Sequence, residues 1–242
     1  MIISFITLFP QMFEGPFSHS IIKNAVKKGL IELNFVNLRD FGIGKHKLVD
    51  DRPYGGGKGM VLRVDVLNDA IEFTKKTYGK PKEKQKVVLL DPTGTIYSQR
   101  KAKEFSKIDH LILVCGHYEG FDARVKTFVD EEISIGDFVL TGGELPAMLI
   151  ADSVARLKDG VIAENATENE SFSNPENILL LEYPQYTRPE EFKDLKVPAI
   201  LLSGNHEEIN LWRKKQSLML TKKNRPDLIK TKKQTKTPSV PH

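Results

Sequence analysis

Apolar and polar positions follow two different periods along the first two thirds of the chain. Ile2 to Phe9 is almost unbroken apolar, as expected of a first strand covered on both faces, and Ile31 to Leu38 alternates like a strand. Two short aliphatic runs, VVLL from Val87 and LILVC from Leu111, are cut off by Pro or Gly and read as buried central strands. Helical spacing fills the gaps. Ile21 to Gly29 reads as a short helix ending in Gly, and Ser98 to Phe105 as another. Val66 to Tyr78 places Leu67, Ala70 and Ile71 inward with Lys75 and Lys76 outward. Pro146 opens a further helix at its first turn, with Leu149, Ile150 and Val154 at helical spacing and Gly160 ending it. Strands and helices alternating at these lengths predict an α/β domain with a largely parallel sheet over residues 1–160.

The pattern then changes. Residues 161–178 are rich in Asn, Glu and Ser and read as a flexible linker. Asn165-Ala-Thr167 within it is a formal glycosylation sequon, which means little in a chain with no export signal. Residues 179–242 read as a small basic helical domain. Ser203 or Asn205 caps a helix with Glu in its first turn, Ile209 and Trp212 share one face, and Arg213 and Lys214 lie nearby. A second short helix opens at Pro226, and the Lys/Thr-rich end after it has no apolar periodicity.

At 242 residues, one substantial core and a small second domain can be built. No 18-residue apolar stretch occurs, so no membrane span is expected. The apolar N-terminus lacks a basic leader and a cleavage site, and one cysteine excludes an internal disulfide framework; both suit the cytoplasm. Cys115 ends an aliphatic strand, where an inert buried thiol is the expected state rather than a nucleophile. The net charge of +4 hides an asymmetry, because ten Lys and Arg residues face one acid, Asp227, after Trp212. That leaves 26 basic against 31 acidic residues before it, an acidic body with a basic appendage. Such an appendage suits a polyanion, or is a solvated tail.

Three glycine-marked loops follow the apolar runs: Asp91 to Gly94, Gly116 to Gly120, and Ile135 to Gly143. Glycine at strand ends lets backbone groups approach a ligand, and open α/β sheets bind ligands at their carboxyl ends. The loops are therefore either walls of a small-molecule pocket or ordinary turns. No G-x-G-x-x-G opens a helix after the first strand, and Lys58 in the loop Gly55 to Gly59 is followed by Gly rather than Ser or Thr. Both facts count against a dinucleotide oxidoreductase and a P-loop enzyme.

Longer motifs point further. Phe5 to Phe13, Val49 to Met60, Leu111 to Gly120, Ser134 to Ala147, Asp152 to Arg156, Tyr186 to Pro189, Leu202 to His206 and Arg225 to Leu228 occur in order. In these the chain closely resembles the bacterial tRNA (guanine-37, N1)-methyltransferases of the SPOUT, or trefoil-knot, class. The resemblance implies a C-terminal trefoil-knot cofactor site on the α/β domain, and S-adenosylmethionine as methyl donor. The donor would contact Leu90, Asp91 and Pro92, then Gly116 and Tyr118, then Ile135, Gly136, Asp137, Phe138, Val139 and Leu140 with Gly142 and Gly143. It implies tRNA with guanine at position 37 as substrate, and a homodimer whose active sites are completed by the partner chain.

The family's essential arginine matches Arg156, expected to meet charge on O6 of the guanine; a surface pair with Asp152 is the other reading. Its catalytic base, an aspartate ahead of Ser-Phe, becomes Glu170 here, one methylene longer, with Glu168 as the alternative. His117 stands where the family often has arginine. Glu119 matches an acidic residue linked to the family's magnesium (Mg2+) dependence, or else stabilises a turn. Asp50, Asp51 and the loop of Gly55, Gly56, Gly57, Lys58 and Gly59 would line the guanosine side. Ser203, Asn205, His206, Arg213 and Lys214 would hold the tRNA, largely through phosphates. A catalytically inert RNA-binding protein with a vestigial pocket is the competing reading; it predicts tRNA binding without methyl transfer.

Overall fold

The computed structural model describes residues 1–79, 84–164, 166–167, 170–173 and 179–230. The chain divides into two compact units, 1–164 and 165–242.

The first unit begins with strand β1 (Ile2–Thr7), helices α1 (Glu14–Phe17) and α2 (Ser20–Lys27), and strand β2 (Glu32–Asn37). Two short strands, β3 (Asp50–Asp51) and β4 (Val61–Leu62), precede helix α3 (Val64–Tyr78). Strand β5 (Gln85–Ile96), helix α4 (Gln99–Phe105), strands β6 (His110–Cys115) and β7 (Glu131–Ser134) and helix α5 (Glu144–Ala155) complete it. Five strands form one parallel sheet in the order β2-β1-β6-β5-β7.

Strand periodicity explains how this sheet carries two cores. Side chains alternate across a strand, so a strand apolar at every position feeds both faces. Ile3, Phe5, Val88, Leu90, Leu111 and Leu113 pack with α4 and α5 residues such as Phe105, Ile150 and Val154. Their neighbours Ile6, Val87, Leu89, Ile112 and Val114 pack with Leu67, Ala70 and Ile71 of α3. The inward face expected of α3 is thus the buried one. One polar pair is admitted at the sheet centre, where Ser4 Oγ and His110 Nε2 lie 2.8 Å apart.

The structure corrects three details of the sequence reading. Helix α5 starts at Glu144, two residues before Pro146, and ends with Arg156 as its C-cap rather than at Gly160. Leu149, expected on its inner face, is 47% exposed, while Ala147, Ile150, Ala151 and Val154 are buried. Pro92 does not end β5 either. The strand resumes at Thr95, and the pairing with β7 jumps from Leu90↔Ile133 to Thr95↔Ile133, so Asp91 to Gly94 are extruded from the ladder.

The second unit is less strictly helical than its composition implies. Strands β8 (Glu191–Phe192) and β9 (Leu195–Lys196) form an antiparallel hairpin ahead of helices α6 (Ala199–Leu202), α7 (His206–Asn224) and α8 (Asp227–Lys230). Asn205 caps α7 by accepting from the Glu208 N–H at 3.3 Å, and the acidic first turn of Glu207 and Glu208 suits the positive helix end. Thr221 Oγ1 accepts from the Leu181 N–H at 2.9 Å, tying the extended segment to α7.

Candidate functional site

The three glycine-marked loops converge. They enclose a cavity of about 370 Å³ at the carboxyl ends of β6 and β7, beside the extruded segment of β5. Leu90, Asp91, Pro92 and Thr93 form one wall, and Gly116 to Phe121 a second. Ile133 to Ile135, Phe138 to Gly143 and Pro146 form the third. Eleven of the thirteen positions expected to hold the cofactor line it, all but Gly136 and Asp137. A Cβ at Gly136 would stand 2.7 Å from the Phe138 ring, so that glycine seats a wall residue instead of forming wall itself.

Each wall has its own local cause. Asp91 Oδ1 accepts from the Thr93 N–H at 2.8 Å and hydroxyl at 2.6 Å, which closes the extruded turn. Tyr118 is held at φ 59°, a left-handed conformation costly for a bulky residue and one that gathers at ligand sites. Gly143 presses against the end of β6. Its N–H donates to the Gly116 carbonyl at 2.8 Å, and a Cβ there would lie 2.7 Å from Cys115 Cα and Gly116 N. Backbone therefore forms part of the floor, since no side chain fits between Gly143 and the end of β6.

Beneath the cavity runs a buried polar chain that no sequence pattern foretold. Thr7 Oγ1 donates to Glu144 Oε1 at 2.6 Å, and Glu144 Oε2 lies 2.7 Å from His117 Nε2. Glu144 is only 1% exposed, so both of its oxygens are matched by partners. The Phe9 ring packs edge-on against His117 at 4.9 Å. A side chain at Gly142 would collide with both His117 and Glu144, so that glycine makes room for the pair. Cys115 is buried and free; burial pushes its thiol well above the usual range and the Glu144 carboxylate adds to this, so it is inert as expected.

Asp50 and Asp51 pair with β4, and Asp51 Oδ2 lies 3.3 Å from Arg63 Nη1. Neither lines the cavity. The glycine loop comes nearer: Gly55, Gly56, Gly57 and Gly59 have φ of 83°, 81°, 133° and 83°, which lets the chain double back. Glu119, which lines the cavity, donates its N–H to the Met60 carbonyl at 3.0 Å, and any Cβ on Gly59 would meet the Glu119 side chain. Among the described residues no three His, Cys, Asp or Glu side chains gather into a metal cluster. Arg156 is half-buried, with its backbone N–H bonded to the Asp152 carbonyl at 3.1 Å.

In the second unit, half-buried Glu170 precedes a turn in which the Ser173 N–H donates to the Glu170 carbonyl at 3.1 Å. Glu168, the alternative base, lies outside the described residues. Ser203 and Asn205 are engaged in the entry to α7, since Ser203 Oγ donates to the Ile200 carbonyl and accepts from the Asn205 N–H. His206 and Arg213 line a second cavity, and Lys214 is exposed.

A parallel sheet with a glycine-floored cavity at its carboxyl strand ends defines an α/β protein of the class that binds a small ligand at that edge. The model of the family described as tRNA (Guanine-1)-methyltransferase TrmD matches residues 1–231. The chain is 54% identical over 232 residues to a tRNA (guanine-N(1)-)-methyltransferase of Caldanaerobacter subterraneus subsp. tengcongensis, covering 95% of this chain and 92% of that one. It is 51% identical to the protein of that name from Halalkalibacterium halodurans, over 97% of this chain and 94% of the relative. With that from Mycoplasmopsis synoviae the identity is 50%, over 98% of this chain and 100% of the relative. The chain belongs to the tRNA (guanine-1)-methyltransferase family, of the SPOUT class.

Proposed function

We propose that this protein transfers the methyl group of S-adenosylmethionine to N1 of guanine 37 in tRNA. It does so in the cytoplasm, as a homodimer in which each site is completed by the partner chain. The observation that carries the reading is the cavity: three loops, a backbone floor and apolar walls in a volume of about 370 Å³, within the range of small-molecule sites. Leu90, Ile133, Ile135, Phe138 and Leu140 offer apolar surface to an adenine ring. Asp91 and Glu119 offer acceptors for hydroxyl and ammonium donors. When bound, the sulfonium supplies an activated methyl group and a neutral thioether leaving group.

The chain's residues supply the rest. Guanine N1 holds its proton at neutral pH, so Glu170 accepts that proton as the N1–methyl bond forms. Negative charge grows on O6 in the same step, and the Arg156 guanidinium meets it. The cavity walls hold the donor for in-line attack. Asp50, Asp51 and the Gly55–Gly59 loop border the guanosine, while Ser203, Asn205, His206, Arg213 and Lys214 hold the tRNA. One carboxylate suffices for a magnesium ion that keeps most of its waters, and Glu119 is the residue that would hold it and so place positive charge beside the cavity.

The test is transfer of labelled methyl from S-adenosylmethionine to tRNA transcripts carrying guanine or adenine at position 37. Label in the guanine transcript alone is the expected result. Equal labelling of both, or of neither, refutes the proposal.

A further inference from the structure

The second unit encloses a cavity of its own, of about 570 Å³, with an unusual combination of groups on its walls. The extended segment Tyr183 to Arg188 forms one side, and α7 forms the other through His206, Ile209, Trp212 and Arg213. Aromatic surface is concentrated there. The Tyr186 and Trp212 rings lie 6.4 Å apart at 56°, and the Arg213 guanidinium sits 4.9 Å from the Tyr183 ring centroid. Arg188 and Arg213 face one acid on the wall, Glu190. Most telling is Arg213 Nε, which is buried and finds no hydrogen-bond partner among the described residues. A buried donor left unpaired is costly, and the Arg213 side chain that carries it lines the wall as a charged donor group suited to an anionic acceptor.

We infer that this cavity receives one unstacked nucleotide of the RNA strand, its base against Trp212 and Tyr186 and its phosphate at Arg213. The inference rests on the proposed tRNA substrate and deepens it, since His206 and Arg213 of this cavity are among the residues proposed to hold the tRNA. Aromatic faces together with arginine planes are the means by which proteins hold splayed single-stranded bases. A purely electrostatic grip on a duplex needs neither the aromatic walls nor the depth. An apolar peptide would cover Trp212 and Tyr186 but supply no negative charge to Arg188 and Arg213.

Trp212 is the chain's one tryptophan, so its emission reports on this wall alone. The full-length protein is titrated with an unmodified tRNA transcript, with guanosine 5′-monophosphate and with inorganic phosphate. Stacking quenches the emission: the transcript does so at low concentration, the mononucleotide only at much higher concentration, and phosphate not at all. Trp212→Phe retains an aromatic face and keeps transcript affinity, whereas Trp212→Leu loses roughly ten- to a hundredfold, the share of one base–aromatic stack. Equal quenching by phosphate, or equal affinity in the Phe and Leu variants, overturns the site. A transcript that is methylated without any change in emission overturns the site alone. Failure of methyl transfer by the unaltered protein overturns the proposed function beneath it. Should Trp212→Leu not fold, the emission of the unaltered protein still decides.

Discussion

Gly143→Ala tests the cofactor floor with the smallest change available. At φ −83° the glycine occupies a conformation open to every residue, so alanine adds no backbone strain. The cost is steric. The new methyl would stand 2.7 Å from Cys115 Cα and Gly116 N, against about 3.5 Å for an ordinary contact, so something must move by about 0.8 Å. Both obstructing atoms are backbone at the end of β6, a strand paired on both sides, and cannot rotate away. Overpacking of this kind costs about 1–3 kcal/mol. At about 2–4 °C per kcal/mol for a chain of this size, the melting temperature should fall by roughly 2–12 °C. The same shift distorts the cavity floor, so calorimetric titration should also show weaker S-adenosylmethionine binding. Gly15→Ala is the control, because a Cβ there meets nothing within 4 Å. If Gly143→Ala melts and binds like the unaltered protein while Gly15→Ala does the same, the backbone floor plays no part in holding the cofactor.

Arg156→Ala should lower single-turnover methyl transfer by about 10²–10³-fold, as loss of a donor to a developing oxyanion does; normal turnover removes the residue from the mechanism. Glu170→Gln should cost about 10²–10⁴-fold and Glu168→Gln little, since glutamine cannot accept the N1 proton; the opposite order moves the base to Glu168. Burial pushes the Tyr97 hydroxyl up to about 12, with the 2.7 Å bond to Ser153 opposing. A folded-state value raised above the ordinary 10.0 means that its contribution to stability is complete below pH 10 and lost as pH rises towards 12. Denaturant melts at pH 9 and pH 11 should therefore show a larger loss for the unaltered protein than for Tyr97→Phe, and parallel losses would show that Tyr97 is not the group responsible.

Local periodicity carried far in this chain because the central strands are covered on both faces. Val87 to Leu90 and Leu111 to Cys115 are apolar at every position, and both occupy the middle of the sheet. The inner face of α3 was equally plain, since one helix packs one stripe against one sheet. Leu149 shows the limit. Helical spacing placed it with Ile150 and Val154, but the buried stripe of α5 runs through Ala147, Ile150, Ala151 and Val154, small and β-branched residues that allow close approach to the sheet. An apolar residue off the stripe is exposed, and spacing alone does not say which face the sheet will take. The β8–β9 hairpin escaped for another reason: strands of two residues are too short to show a period.

The sequence by itself determined the alternating α/β order, the parallel sheet, the inert cysteine and the three loops of the cavity. Each of these is written in short stretches of chain, through side-chain period and glycine placement. Only the tertiary structure decided which loop residues face inward, because orientation within a loop depends on what packs behind it. Gly136 and Asp137 turn out not to line the cavity, while Thr93, Phe121 and Thr141 do. The Thr7–Glu144–His117 chain was beyond sequence reasoning altogether, since Thr7 and Glu144 lie 137 positions apart. Their contact exists because β1 and the start of α5 meet at one end of the sheet, and a buried carboxylate there must have both oxygens matched. The cavity around Trp212 likewise arises from packing, as residues 183–188 and the helix that begins at His206 line it together.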